Sequence, residues 1–188
     1  MSYNKKVVND LRPVVRLAMS GKMRSGKDML VARLVERYGM TRYAFADRLK
    51  EVACELFGMP AEHKNRHLLV ELGRKMCEID KLVWVNGVLG KMPLRQDVAI
   101  SDMRLKYEYH ALKAFGFVMV RVACDDNVRL ERIARFGSKV DLALVDDASE
   151  TDLDDAEFDY CLDGTTYGSL YAQADRMMQS LEREPFHV

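Results

Sequence analysis

Long apolar runs are missing from this sequence of 188 residues. No stretch approaches the ~18 consecutive apolar residues that a membrane-spanning helix needs. The opening MSYNKKVVNDLRP is charged and lacks the apolar segment of a secretory leader. These absences predict a soluble, cytoplasmic protein with no membrane partner. Net charge is missing too, because 29 basic residues cancel 29 acidic ones. Without a broad basic surface no nucleic-acid partner is expected, and any phosphate recognition has to be local. Cys54, Cys77, Cys124 and Cys161 are scattered and form no CxxC pair, which argues against a zinc site and supplies no disulfide framework. His63, His67, His110 and His187 show no ligand spacing and no nucleophile partner. Repeats and low-complexity tracts are also absent. The length suits one domain, since domains usually hold about 100–200 residues.

What is present is an alternation of short apolar runs with helical patterns. VVRLAM, residues 14–19, reads as a buried strand that ends at Ser20-Gly21. KDMLVARLVERYG follows with Leu30, Val31, Leu34 and Val35 at helical spacing and Gly39 as a stop. RYAFAD is a second strand, with Asp47 ending it and capping the helix RLKEVACELFG. A mostly helical middle runs from Glu62 to Leu89, with Gly73 and Gly87 as breaks. VAISD and FVMVRVAC are the third and fourth strands, separated by the helix LKYEYHALKAFG. The basic helix DDNVRLERIARFG, the acidic VDDASETDLDDAEFD, a weak strand YCLDG and a helix from Ser169 to Leu181 complete the chain. Such alternation predicts a parallel, doubly wound α/β sheet, with ligands at the carboxyl ends of its strands.

Between the first strand and its helix lies SGKMRSGKD. Gly21, four residues and Gly26-Lys27 match the G-x-x-x-x-G-K core. Glycines let backbone N–H groups turn inward around phosphate oxygens, the lysine reaches the outer phosphates, and the helix N-terminus adds positive potential. The bare pattern arises by chance in about one such chain in twenty, given ordinary glycine usage. The strand before it and the amphipathic helix after it supply the required setting. Asp28 stands where such loops carry Ser or Thr to hold Mg²⁺. A carboxylate is also a hard oxygen ligand, directly or through water, and Asp equally caps helices; the two roles can coexist. Asp102, at the carboxyl end of a strand, has the position of an acid that orients magnesium-bound water. Arg129, Arg132 and Arg135 recur every three residues on one helix, so at least two share a face. They suit either a cluster over phosphates or a solvated basic face near the acidic segment.

With Asp28 in view, the chain resembles P-loop small-molecule kinases whose loop reads SGK.RSGKD: the phage-type deoxynucleoside monophosphate kinases and the animal-type phosphomevalonate kinases. The likeness continues through YAFADRLKEVACELFG, ELGRKMCEIDKLVWVN, ISDMRLKYEYHALKAFGFVMVRV and DDASETDLDDAEFDYCLDG, in family order over most of residues 14 to 175. The AFAD and ELGR…WVN blocks are closer to the nucleotide kinases. One departure is Met29, where the nucleotide kinases often carry Thr; it leaves Asp28, Ser25 or waters to hold the metal.

The resemblance implies a P-loop NTPase fold, a three-layer α/β/α sandwich with a parallel sheet of about five strands and a helical lid. Residues 1–188 would form one kinase domain, with a loose lead-in at 1–13, a helical acceptor-binding insert at about 60–90 and the lid at about 125–150. It implies transfer of the γ-phosphate of ATP, with Mg²⁺, to a nucleoside or deoxynucleoside monophosphate. Phosphomevalonate, dephospho-coenzyme A and a non-catalytic nucleotide-binding role are the alternatives. Catalysis would fall to Lys27, Arg132 and Asp102. ATP would be held by Gly21, Lys22, Arg24, Ser25, Gly26, Lys27, Asp28, Arg129 and Arg135, and the metal by Asp28, Ser25 and Asp102. Asp47, Lys50, Arg66, Arg74, Trp84 and Arg104 would serve the phosphorylated acceptor, with Asp163 to Gly168 at the adenine. Asp47 also reads as a cap, Arg66 as a surface charge, and Trp84 as core filler, the commoner role for Trp. The assembly expected is a monomer or homodimer.

Overall fold

The strand expected at residues 14–19 is found at Arg16–Ser20 (β1), and its helix at Lys27–Tyr38 (α1). The fold comes from a computed structural model, which describes residues 13–62, 65–135 and 150–183. Most of the lead-in (1–12), residues 63–64 of the insert and residues 136–149 of the lid segment lie outside the described residues. The chain continues through Thr41–Tyr43 (β2), Phe45–Phe57 (α2), Arg66–Ile79 (α3), Val83–Leu89 (α4), Val98–Ile100 (β3) and Lys106–Ala114 (α5). Val118–Ala123 (β4), Asp126–Arg135 (α6), Tyr160–Asp163 (β5) and Tyr167–Arg183 (α7) follow. The strands form one sheet in the order β2-β3-β1-β4-β5. Every pairing is parallel, with Arg16 opposite Val98 and Leu17 opposite Val118.

A parallel sheet covered on both faces needs strands that are apolar on both sides. In β1 and β4 the pleat sends Leu17, Met19, Val118, Val120 and Val122 to one face, where they meet Leu30, Val31 and Leu34 of α1 and Leu170, Ala174 and Met178 of α7. Ala18, Met119 and Ile100 face the other way, toward Phe45, Val85, Val88, Tyr109 and Leu112. These two cores, one per face, make the three-layer α/β/α sandwich. Each large aliphatic side chain so buried contributes ~1.5–3 kcal/mol. Leu17 is fully buried in the strand that carries the loop. Leu17→Ala is therefore expected to cost about 2–5 kcal/mol in urea unfolding.

Several local expectations are corrected. Val35 is 40% exposed rather than in the core face of α1; it lines an open groove with Asp28, Val31 and Arg42. The second strand stops at Tyr43 because α2 starts at Phe45, before Asp47. The cap is not Asp47 but a remote group: the Asp102 carboxylate accepts from Phe45 N and Ala46 N, each at 2.9 Å. Gly73 and Gly87 do not break helices. They lie inside α3 and α4, where a Cβ would meet Leu49 and Arg48 of α2 at 3.5 Å, an ordinary contact distance, so neither position demands glycine. The break falls at Asp80 instead, which ends α3 and accepts Leu82 N at 2.8 Å. Among the described residues no helix is long and apolar enough to cross a membrane.

Candidate functional site

The loop between β1 and α1 is built by unusual backbone angles. Gly21 has φ +146°, Gly26 +112° and Arg24 +64°. A side chain at Gly21 would strike the Val122 carbonyl and approach Ser25 Oγ at 2.9 Å. A non-glycine residue in the left-handed region, as at Arg24, is strained and clusters at functional sites. Gly26 is the N-cap of α1 and brings no side-chain hydrogen bond, so the first N–H groups of α1 lack a capping side chain and can face an anion. The cap is thus glycine; Asp28 instead places an exposed carboxylate in the first turn of the helix.

Lys27 is buried, with Nζ donating to the carbonyls of Gly21 and Lys22. Burial lowers its pKa to about 8; Arg104 and Arg121 add to the lowering, and Glu150 and Asp28 oppose it. Glu150 accepts from Met23 N at 2.6 Å and from Arg104 Nη1 at 2.6 Å. Arg121 on β4 donates to the carbonyl of Leu153 and to Asp154, which also faces Lys22 Nζ at 3.7 Å. Glu150 and Asp154 therefore tie the acidic stretch to the loop, while Asp154 and Asp155 remain exposed.

On the side of β3, Asp102 follows the strand end beside β1 and commits one oxygen each to Phe45 N and Ala46 N. Burial raises its pKa. Glu108 accepts from Arg104 N at 2.8 Å and Leu105 N at 3.0 Å, and burial pushes its carboxyl up to about 7. The first turn of α2, which Asp102 anchors, carries Asp47. Its carboxylate is bracketed by Arg42 at 2.6 Å and Lys50 at 2.8 Å, which hold it below the usual carboxylate range. Asp47 and Lys50 line an open cavity of about 640 Å³ together with Cys54, Met59 and Ala61.

The remaining expected residues are distributed more widely. Arg74 is half-exposed on α3 and engaged by Glu71 and Glu78 of its own helix. Arg66 opens α3 and is exposed. Trp84 packs against the second core with its indole N–H donating to Gly73 O at 3.4 Å, which makes it a wall element between α3 and α4. On α6, Arg135 is exposed beside Glu131 at 3.8 Å. Arg129 is buried; its Nε donates to Asp126, and its Nη1 has no partner. Arg132 bridges the loop to the β5–α7 turn, donating to the carbonyls of Arg24 at 3.1 Å, Gly164 at 2.9 Å and Thr165 at 2.8 Å. Its guanidinium lies 4.8 Å from the centre of the Tyr167 ring.

Sequence reasoning passed over Glu150, Glu108 and Arg121, and included Gly164 only as part of the segment expected at the adenine. Arg121 had a signal, a charge inside the otherwise apolar VMVRVA. Glu150 had none, because one acid among many in an acidic stretch looks like the rest. For a divalent ion the donors that fit are Ser25 and Asp28. Ser25 Oγ is buried without a partner inside the loop, and the Asp28 carboxylate is exposed at its edge. Asp102, with both oxygens engaged, fits a metal less well.

No family model matches the chain and no curated protein is matched. Solved structures do resemble it. A shikimate kinase from Bacteroides thetaiotaomicron aligns with TM-score 0.54 at 15% identity, covering 89% of this chain and 98% of that one. A gluconokinase from Sinorhizobium meliloti 1021 aligns with TM-score 0.57 at 16% identity, covering 91% and 95%. A dephospho-CoA kinase from Campylobacter jejuni aligns with TM-score 0.54 at 13% identity, covering 90% and 98%. The chain thus shares an α/β fold, with a five-stranded parallel sheet, with solved structures of small-molecule kinases.

Proposed function

We propose that this chain is an ATP-dependent phosphotransferase that moves the γ-phosphate of ATP onto the phosphate of a small acceptor, a nucleoside or deoxynucleoside monophosphate. The observation that carries the reading is one glycine loop at the N-terminus of α1 that holds Lys27 and is joined to Arg104 through Glu150 and to Arg121 through Asp154. Phosphoryl transfer asks mainly for positioning and charge neutralisation, and this arrangement supplies both. The loop N–H groups and Lys27 hold the donor phosphates. Arg104, next in line past Asp102, offers a planar guanidinium suited to an incoming phosphate. The cavity carrying Asp47 and Lys50 supports an acceptor on that side. Arg132, tied to the carbonyls of Gly164 and Thr165, shapes the turn expected at the adenine. Magnesium, when bound through Ser25, Asp28 or their waters, would neutralise charge on the phosphates.

A coupled assay for ADP release decides the matter. The panel contains nucleoside and deoxynucleoside monophosphates, phosphomevalonate and dephospho-coenzyme A. Turnover with a monophosphate nucleotide is the expected outcome, and turnover with another acceptor alone moves the specificity to that acceptor. ATP binding without acceptor-dependent ADP release from any of them identifies a binding module and overturns the transferase reading.

A further inference from the structure

Glu150 stands out because its carboxylate sits among groups suited to phosphate. One oxygen accepts from a loop N–H, Met23 N, the other from Arg104 Nη1, both at 2.6 Å. The side chain is only 3% exposed, whereas Arg104 remains 38% exposed. A buried carboxylate is costly unless it is paired and hydrogen-bonded, and here both conditions are met by two different parts of the site.

Its neighbours leave it little freedom. Leu153 is buried in the second core. Asp152 accepts Lys106 N at 2.8 Å, and Asp155 pairs with Lys106 Nζ at 2.9 Å. Asp154 pairs with Arg121. Glu150 is thus the loop-facing end of a segment pinned at several points. Arg104 is held at two ends as well, its backbone N–H by Glu108 and its guanidinium by Glu150. Among the described residues, Glu150 is therefore the single side chain that links Met23 N of the loop to the guanidinium of Arg104 by hydrogen bonds.

We infer that Glu150 is a positioning residue that couples the phosphate loop to Arg104, so that nucleotide binding and the setting of the acceptor-side arginine depend on one shared carboxylate. This rests on the phosphotransferase reading for the meaning of Arg104. The test is a double-mutant cycle on the full chain: calorimetric titration of MgATP into wild type, Glu150→Gln, Arg104→Ala and the double variant. Glutamine keeps the shape and one acceptor but cannot serve both donors as an anion. Each single variant is expected to weaken MgATP at least fivefold. In the Glu150→Gln background, Arg104→Ala is expected to add less than twofold, which a double-mutant cycle reads as coupling.

Thermal melts of the same four proteins confirm folding at the titration temperature. Glu150→Asp, which keeps the charge but shortens the reach, is expected to restore part of the affinity. Effects that multiply independently, or an unchanged affinity in folded Glu150→Gln, overturn the inference. If wild type binds MgATP and the cycle shows coupling but no acceptor is phosphorylated, the transferase reading falls and the coupling stands. If wild type binds no MgATP, both fall together.

Discussion

Lys27→Ala is expected to abolish acceptor-dependent ADP release, lowering kcat/KM by about 10³-fold or more, the scale seen when a phosphate-stabilising cation is removed. The ammonium is aimed into the loop, and no other described cation shares its position at the start of α1. Loss of fold would not explain the result, because Lys27 costs stability where it is. Its pKa is 10.5 in the unfolded chain and about 8 in the fold. Between these values the unfolded chain binds the extra proton, so stability rises with pH across that window, and below about pH 8 the burial penalty is fully present. Lys27→Met should therefore melt higher than wild type at pH 7 in the absence of nucleotide, with the difference shrinking toward pH 10. The activity runs the other way. Transfer needs the charged form, so kcat/KM is expected to fall as pH rises through about 8.

Gly164→Ala carries the second large effect. Gly164 N donates to Ala123 O at 2.6 Å, while a Cβ would run into the carbonyl of Ser25 and lie 2.8 Å from Val122 Cγ1. Two of the obstructing groups, the carbonyls of Ser25 and Ala123, are backbone, and neither belongs to a flexible side chain that could step aside. The methyl group therefore has to displace the phosphate loop from the β5–α7 turn. MgATP affinity measured by calorimetry should drop more than tenfold, and the urea midpoint should fall by the equivalent of about 1–3 kcal/mol, the usual cost of overpacking. An unchanged affinity would mean that the turn does not support the loop.

The backbone of this fold was largely written in local patterns. Buried strands such as RLAMS and VMVRVA announce themselves by composition, and Gly21 and Gly26 mark the turn between strand and helix. Boundaries failed where a distant side chain intervened. Nothing near Phe45 indicates that Asp102 caps its helix, and Asp47 looked like a better candidate because caps are usually local. The site was legible to the same degree. Lys27 and Asp28 follow from the loop pattern, but Glu150 meets Met23 across 127 residues of sequence, and no single-sequence pattern reports such a pair. The three arginines of α6 showed the opposite problem. Even spacing left open a cluster over phosphates or a solvated basic face, and the three differ: Arg132 is bound to three carbonyls, Arg129 is buried and Arg135 points outward.

The position of β1 in the sheet bears on how the molecule comes into being. Among the described strands it comes first in the chain and lies at the centre of the sheet, but Arg16 waits for Val98 and Leu17 for Val118 before either edge of the strand is paired. Until then its apolar side chains have no sheet to enter, and the glycine loop that hangs from it has no frame to hold its angles. Parallel pairings of such long range are slow to form and leave sticky edges exposed meanwhile. The capacity to bind phosphate should consequently appear late in refolding, after the bulk of the helical signal has returned. A chain released before β4 has been synthesised would carry the complete loop sequence without its pocket.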